Sequence, residues 1–447
     1  MDTAKQAVPY RYIFTKNGPI AFIFVYALFM LAPLLLTRLL GVERSDSALR
    51  ELAVGSGMLA LMLLLSLFWL SGRFNWASGV RGLDLTLKFH RRIAGLALVL
   101  IAVHLMVIIG FSLPKYMGLI AVGLLLVVLQ FLLAKAHTKF KMNYDYWRVS
   151  HAALALVLVV VMVIHAIAEG HYSSHPLLSA YWVLLTLAAM GSLLYVHVWI
   201  PYQQRKRPYR VVEIKPAADS QWLVTLSPQG FESMTFEAGQ YAFVSFGPSP
   251  FVGKPHPFSF SSCPSDRPNI SFTIKQVGDF TDAIEQIELG SNAYVYGPYG
   301  HLSLSKRRGT QMREKGIVLL AAGIGMTPIM SMLREMRAKQ EKKPIKLFYA
   351  CRFEQDLLYM DELSELAQEL DLDMKILLSQ PQAGWQGDSG RIDAEYLKTH
   401  INFEHHQDYL YFSCGTTPFI RSVSKGLEGV GGIPMFNIVF EDFSVYS

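Results

Sequence analysis

Apolar positions along this chain fall into two regimes. From about residue 18 to 200 they form long runs with short polar breaks. Six runs are long enough to cross a hydrocarbon core of about 30 Å, which takes about 20 helical residues; they are 18–37, 52–71, 90–112, 117–134, 149–168 and 177–200. From Arg210 to about Ser305 the pattern shortens to alternating stretches such as RVVEI, WLVTLS and YAFVSF, punctuated by Gly and Pro, which predicts a small antiparallel barrel. Beyond Gly316, strand-like runs (GIVLLAAG, KLFYACR, MKILLSQ, YLYFSCG) alternate with helical ones, which predicts a parallel α/β sheet. The expected fold is therefore multi-domain: a six-helix transmembrane domain over 1–205, an antiparallel β-barrel over 206–308 and a parallel α/β domain over 309–447.

Composition agrees with a membrane half. Over 447 residues the hydrophobic share is 52% and the mean hydropathy +0.28, high for a soluble protein. The first apolar run already has membrane length, so the N-terminal region reads as an anchor and not as a cleaved signal. Basic residues mark the retained side of each span. Lys5, Arg11 and Lys16, the 72–92 loop, the 135–148 loop and Arg205–Lys206–Arg207 alternate correctly, so both termini are expected in the cytoplasm. The first outer loop, with Arg38, Arg44 and Arg50, goes against this trend, although Glu43, Asp46 and Glu51 accompany them. The net charge of +6 is thereby a topology signal, and no nucleic-acid partner is needed to explain it. Cys263, Cys351 and Cys414 show neither C-x-x-C pairing nor metal spacing, which speaks against a disulfide framework.

Four histidines interrupt the membrane runs. His90 and His104 lie on the third span, His151 and His165 on the fifth, each pair fourteen residues apart. On a helix that spacing brings two side chains within about 40° of one another, separated by about 21 Å along the axis. If the two spans lie side by side, His90 comes level with His151 and His104 with His165. A buried imidazole in lipid needs a partner, and it is a common axial ligand of haem iron. Two bis-histidine haems would satisfy all four residues, whereas two pairs so far apart cannot close one tetrahedral zinc site. Arg91, Arg92 and Arg148 could meet haem propionates or serve as plain positive-inside anchors.

The C-terminal half carries chemistry of its own. HPFSFSS (His256, Pro257, Phe258, Ser259, then Ser261 and Ser262) ends a strand in hydroxyls that offer donors to an isoalloxazine and ribityl chain, although a serine-bearing barrel strand would look the same. Lys275, with Gly278 and Thr281 at the start of a helix, can hold a pyrophosphate. In AAGIGMTP, Gly323, Ile324 and Gly325 allow close backbone approach, with Thr327 as the expected N-cap and Pro328 at the first helical position. Such a strand–loop–helix is a nucleotide diphosphate site, weakened here by the lack of the third glycine of G-x-G-x-x-G. Arg352 favours a 2′-phosphate and hence NADPH, while Glu354 and Asp356 leave NADH open. Cys414 and Gly415 end a strand where a nicotinamide would lie, and Phe443 near the chain end could cover a flavin.

Taken together and in this order, HPFSFSS, VGDFT, GPYG, AGIGMTP, YACR, SCG and EDF resemble the motifs of the NADPH oxidase and ferric reductase flavocytochrome superfamily, particularly its bacterial NADPH-oxidase-like members, over nearly the whole chain. The resemblance implies FAD, NADPH (or NADH) and two b-type haems, the inner held by His90 and His151, the outer by His104 and His165. It implies a multi-pass protein of the bacterial cytoplasmic membrane that sends electrons to an outer acceptor, dioxygen or a ferric chelate, with Cys414 and Phe443 as candidate catalytic residues at the flavin. A flavin or quinone reductase on an inert membrane anchor is the competing reading. No D-x-D-x-D-G calcium loop precedes the first span, and no partner subunit is evident.

Overall fold

The computed structural model describes residues 18–45, 47–74, 82–108, 117–140, 144–252, 254–277, 281, 283–403 except 305–313, 405–434 and 437–442. These fall into two compact units that divide between Trp199 and Ile200.

The first unit holds six helices long and apolar enough to cross a membrane: α1 (Gly18–Leu39), α2 (Ala48–Leu70), α3 (Leu83–Ile108), α4 (Met117–Phe140), α5 (Tyr144–Glu169) and α6 (Pro176–Leu194). Phe24, Val99, Leu125 and Ile164 stand exposed on these helices, an apolar surface suited to lipid. The six expected spans are all present, but α3 begins at Leu83 and α5 at Tyr144, several residues earlier than hydropathy alone places them. Their polar N-terminal turns, LDLTLKF and YDYWRVS, are helical because backbone hydrogen bonding continues past the apolar core. Past α6 the chain runs through a π turn, Tyr195–Trp199, which contains His197. Almost all of the helical core side chains of α2 are buried, from Ala53 to Leu70, and α2 packs against α1, α3, α5 and α6. The two histidine helices, α3 and α5, do not pack closely side by side as expected; they stand across a cavity with α2 touching both.

The second unit opens with the short α7 (Ile200–Arg205) and then holds two sheets. Strands β1 (Tyr209–Ala218), β2 (Gln221–Pro228), β3 (Tyr241–Phe246), β4 (His256–Ser259), β5 (Ile270–Lys275) and β6 (Asn292–Tyr299) form an antiparallel sheet in the order β4-β3-β6-β1-β2-β5. A bridge between Phe260 and Phe272 joins its two edges and closes the barrel. Val211, Val224, Phe260, Phe272 and Ile274 fill the interior. The second sheet, β7 (Gly316–Ala322), β8 (Ile345–Cys351), β9 (Leu372–Leu378), β10 (Asp388–Ser389), β11 (Tyr409–Gly415) and β12 (Ile438–Asp442), is parallel throughout, in the order β10-β9-β8-β7-β11-β12. Helices α8 (Met326–Ala338), α9 (Met360–Glu369), α10 (Ala394–His400) and α11 (Thr417–Ser424) belong to this sheet. The strand order reverses between β7 and β11, and in such sheets ligands bind beyond the strand C-termini at that point.

Candidate flavin, nucleotide and histidine sites

At the reversal point the chain leaves β7 through a tight turn, Gly323–Gly325, and enters α8. Gly323 has φ +53°, which favours glycine, and a Cβ there would meet open space. A Cβ on Gly325 would lie 2.3 Å from the Cys414 carbonyl oxygen, so this glycine lets the turn sit directly on the end of β11. Gly323, Gly325, Cys414 and Gly415 are thus brought together. The helix N-cap is Gly325 and not Thr327; Thr327 and Pro328 fall inside the first turn, because the chain becomes helical two residues earlier than the capping pattern predicts. No side chain caps the start of α8, and its first amide, Met326 N, donates to Gly323 O and Ile324 O of the turn. Ser413 Oγ, just before Cys414, is buried without a hydrogen-bond partner among the described residues. Arg352, past the end of β8, is exposed and its Nε donates to Gln380 Oε1 at 2.9 Å.

The HPFSFSS segment reaches the same region from the barrel. His256–Ser259 pairs with β3, leaving His256, Pro257 and Phe258 half-buried and Ser259 buried. Ser261 and Ser262 are buried and spend their main chains on the nucleotide domain: Arg334 Nη1 donates to Ser261 O and Ser331 Oγ to Ser262 O, both at 2.6 Å. Arg334 is in turn clamped by Glu362 through two bonds of 2.8 and 2.6 Å and lies over the Tyr359 ring. Tyr359 itself has φ +60°, a conformation that costs a non-glycine residue about 1–3 kcal/mol. It is held by Leu358 N donating to Tyr349 Oη at 3.0 Å and by its phenol meeting Thr273 Oγ1 at 2.5 Å. Burial pushes that phenol above its ordinary range, with the hydroxyls of Thr273, Thr327 and Ser261 beside it. One hydroxyl comes from the barrel sheet, one from the flavin segment and one from the nucleotide turn. Arg334 and Glu362 had no signal in the sequence beyond belonging to helical runs, and Tyr359 had none, since their roles arise from contacts distant along the chain.

Among the described residues after Lys275 there is no α-helix before Gly290. Thr281 Oγ1 accepts from Val277 N at 2.7 Å, and the described residues that follow form only a 3-10 turn, Ile284–Gln286. Lys275 pairs with Asp356 at 3.5 Å, in a segment that also accepts from the barrel through Gln221 Nε2 and Asp219 N, both at 3.1 Å. Lys275 therefore sits at the docking edge of the two domains. Gly278 and Phe443 lie outside the described residues.

In the helical unit, His104 and His165 face each other with ring centres 6.2 Å apart. They line a cavity of about 370 Å³ together with Gly57, Leu61, Met162 and Trp182, within the range of small-molecule sites. His104 Nδ1 is 2.7 Å from Ala53 O, whereas His165 Nδ1 makes no hydrogen bond among the described residues and lies 3.5 Å from Glu169 Oε2. A metal bonded to both remaining nitrogens at about 2 Å each would use about 4 Å of the 6.2 Å, and the two ring radii take up the rest. This pair fits a bis-histidine group. His90 and His151 are electrostatic neighbours; His90 Nδ1 is 3.2 Å from Leu67 O, and His151 stacks on Trp147 and bonds Gln130 Nε2 at 2.9 Å. Gln130 is the one amide inside the fourth apolar run, a signal the sequence did carry. Arg91 and Arg92 are exposed beside His90. His171 Nε2 donates to Glu43 O at 3.0 Å, and His175 caps α6.

Known proteins resemble the C-terminal half. A FAD-binding domain family matches residues 218–343 and an oxidoreductase NAD-binding domain family residues 319–425. The reductase component of propane 2-monooxygenase from Mycolicibacterium goodii is 24% identical over 52% of this chain and 66% of its own length. Ferredoxin–NADP reductase B from Sorangium cellulosum is 24% identical over 52% of this chain and 96% of its own, and NADH nitrate reductase from Hordeum vulgare 29% over 34% of this chain. The chain spans 18% of that barley protein and just under two thirds of the Mycolicibacterium one. Among solved structures, flavohemoglobin from Malassezia yamatoensis, with bound FAD and heme, shares the fold at TM-score 0.52 and 17% identity over 88% of this chain and 99% of its own. With its six apolar helices followed by an antiparallel and then a parallel sheet, this chain carries in its C-terminal half a FAD-binding domain and an oxidoreductase NAD-binding domain.

Proposed function

We propose that the chain is a transmembrane NADPH oxidase: it takes electrons from cytosolic NADPH through FAD and two bis-histidine b-type haems to dioxygen on the outer face, producing superoxide. The observation that carries this reading is the pairing of His104 and His165 in one cavity, with ring centres 6.2 Å apart. Bound FAD would convert a two-electron donor into single electrons, and bound haem would carry them one at a time. The rest falls to the chain's own residues. His256, Pro257, Phe258 and Ser259 offer the flavin a half-buried strand edge, with Ser261 and Ser262 anchoring it. Lys275, Gly278 and Thr281 serve the pyrophosphate, and Phe443 covers the flavin until nicotinamide displaces it, a gate of the kind lids provide. Gly323, Ile324, Gly325, Thr327 and Pro328 cradle the nucleotide diphosphate, Arg352 its ribose end, and Cys414 with Gly415 the nicotinamide. The corresponding domains are 1–205, 206–308 and 309–447.

Dioxygen is preferred to a ferric chelate on the likeness of the motifs to those of bacterial NADPH-oxidase-like proteins. Arg50, Glu169 and His171 line the cavity that holds His104, and Glu51 accepts from Ser45 N at 2.8 Å and from Tyr172 Oη at 2.5 Å. Purified protein in detergent with FAD tests the proposal. A reduced-minus-oxidised spectrum should show b-type haem, and NADPH consumption should be matched by trapped superoxide more than by ferric-chelate reduction. Absence of haem absorbance sinks the route, and so does a His104→Leu variant that keeps both external activities.

A further inference from the structure

Helix α2 carries no histidine, yet both histidines of α3 rest on it. His104 Nδ1 lies 2.7 Å from Ala53 O and His90 Nδ1 3.2 Å from Leu67 O. Ala53 and Leu67 are fourteen residues apart, the spacing of the histidines themselves, and the two helices run in opposite directions, so one register satisfies both contacts. Each carbonyl also accepts a serine hydroxyl, Ser56 Oγ at 2.9 Å and Ser71 Oγ at 3.0 Å. A carbonyl oxygen can only accept, so each neutral ring carries its proton on Nδ1 and presents a bare Nε2, the form a metal needs.

At His104 the approach depends on a missing side chain. A Cβ on Gly57 would lie 2.8 Å from His104 Nδ1, 3.1 Å from Cε1 and 3.3 Å from Cγ. Gly55, two residues earlier on the same helix, would meet only Leu34 Cδ2 at 3.9 Å. Glycine inside a helix is less favourable than alanine, and at Gly57 the ring explains why it is tolerated. We infer that Gly57 is a positioning residue for His104: it lets the imidazole lie flat on α2, reach Ala53 O and aim Nε2 across the cavity at His165. This rests on the two-haem reading.

The test compares Gly57→Ala with Gly55→Ala in the full-length protein, reading haem per chain and the low-spin bis-histidine spectrum. The native protein and Gly55→Ala should hold two haems, and Gly57→Ala one, with about half the haem absorbance. Two haems with an unchanged spectrum in Gly57→Ala overturn the role of Gly57 while leaving the two-haem reading intact. A native protein without haem overturns that reading and this inference with it. Thermal unfolding supplies a readout independent of haem. Gly57→Ala should lower Tm in the native background but not in a His104→Ala background, where nothing stands in the way of the methyl group. An equal loss of Tm in both backgrounds also overturns the inference.

Discussion

Cys263 and Cys351 show how a residue's chemistry is set by where it is buried. Both thiols are enclosed, and burial, acting first on each, pushes them from the ordinary 9.0 up to about 11; Asp266 adds to the effect at Cys263, and Asp356 at Cys351. Since the thiolate is the reactive form, a value of about 11 in place of 9.0 means about a hundredfold less of it at pH 8. Native protein at pH 8 should therefore consume far less than one equivalent of a thiol reagent, with three thiols appearing on denaturation. The alkylation rate should keep climbing past pH 9. The fold retains these protons longer than the unfolded chain does, so their effect on stability is complete below pH 9 and stability declines as pH rises from 9 towards 11. A native thiol that reacts within seconds at pH 8 contradicts this picture. The sequence argued against a disulfide framework and metal spacing. What it could not supply was the enclosing partners, which arrive from elsewhere in the chain.

Elements were legible wherever one short-range rule dominates, and less so at their junctions. Runs of about 20 apolar residues read as helices long enough to cross a membrane, and the alternation of strand and helix after Gly316 leaves little but a parallel sheet. The turn Gly323–Gly325 was legible as a glycine turn from strand to helix, but the reason for its second glycine was not, because that reason is the Cys414 carbonyl about ninety residues later. The pairing of Lys275 with Asp356, about eighty residues later, is likewise a contact that no local pattern encodes. The Gly325 contact leads to a prediction about this element. In Gly325→Ala the new methyl would meet backbone at 2.3 Å and cannot be accommodated by a side-chain swing, so the turn must lift away from β11. We expect kcat/KM for NADPH to fall at least tenfold, about 1.4 kcal/mol of transition-state stabilisation, while FAD content stays near that of the native protein. Unchanged kcat/KM would show that this end of β11 lies outside the nucleotide site.

For the molecule as a whole the open question is direction. Nothing in a FAD- and NAD(P)H-binding module requires a membrane; many reductases complete their chemistry in one compartment. Six apolar helices would be a costly way to anchor such a module, and an inert anchor has no reason to carry four histidines in two matched pairs, each with an engaged ring nitrogen or a close ring partner. If the helices carry electrons, donor and acceptor must be used on opposite faces. On the proposed orientation, with the nucleotide side in the cytoplasm, inverted membrane vesicles expose that side to the medium. In sealed inverted vesicles, NADPH added outside should drive reduction of a membrane-impermeant acceptor enclosed within, and His104→Leu should abolish that reaction while NADPH still reduces the flavin. Making the vesicles leaky should let an external acceptor reach the same site. Reduction of an external impermeant acceptor by intact vesicles, equal to that by leaky ones and indifferent to His104→Leu, would mean that electrons leave from the flavin side, and that the histidine pairs serve something other than export.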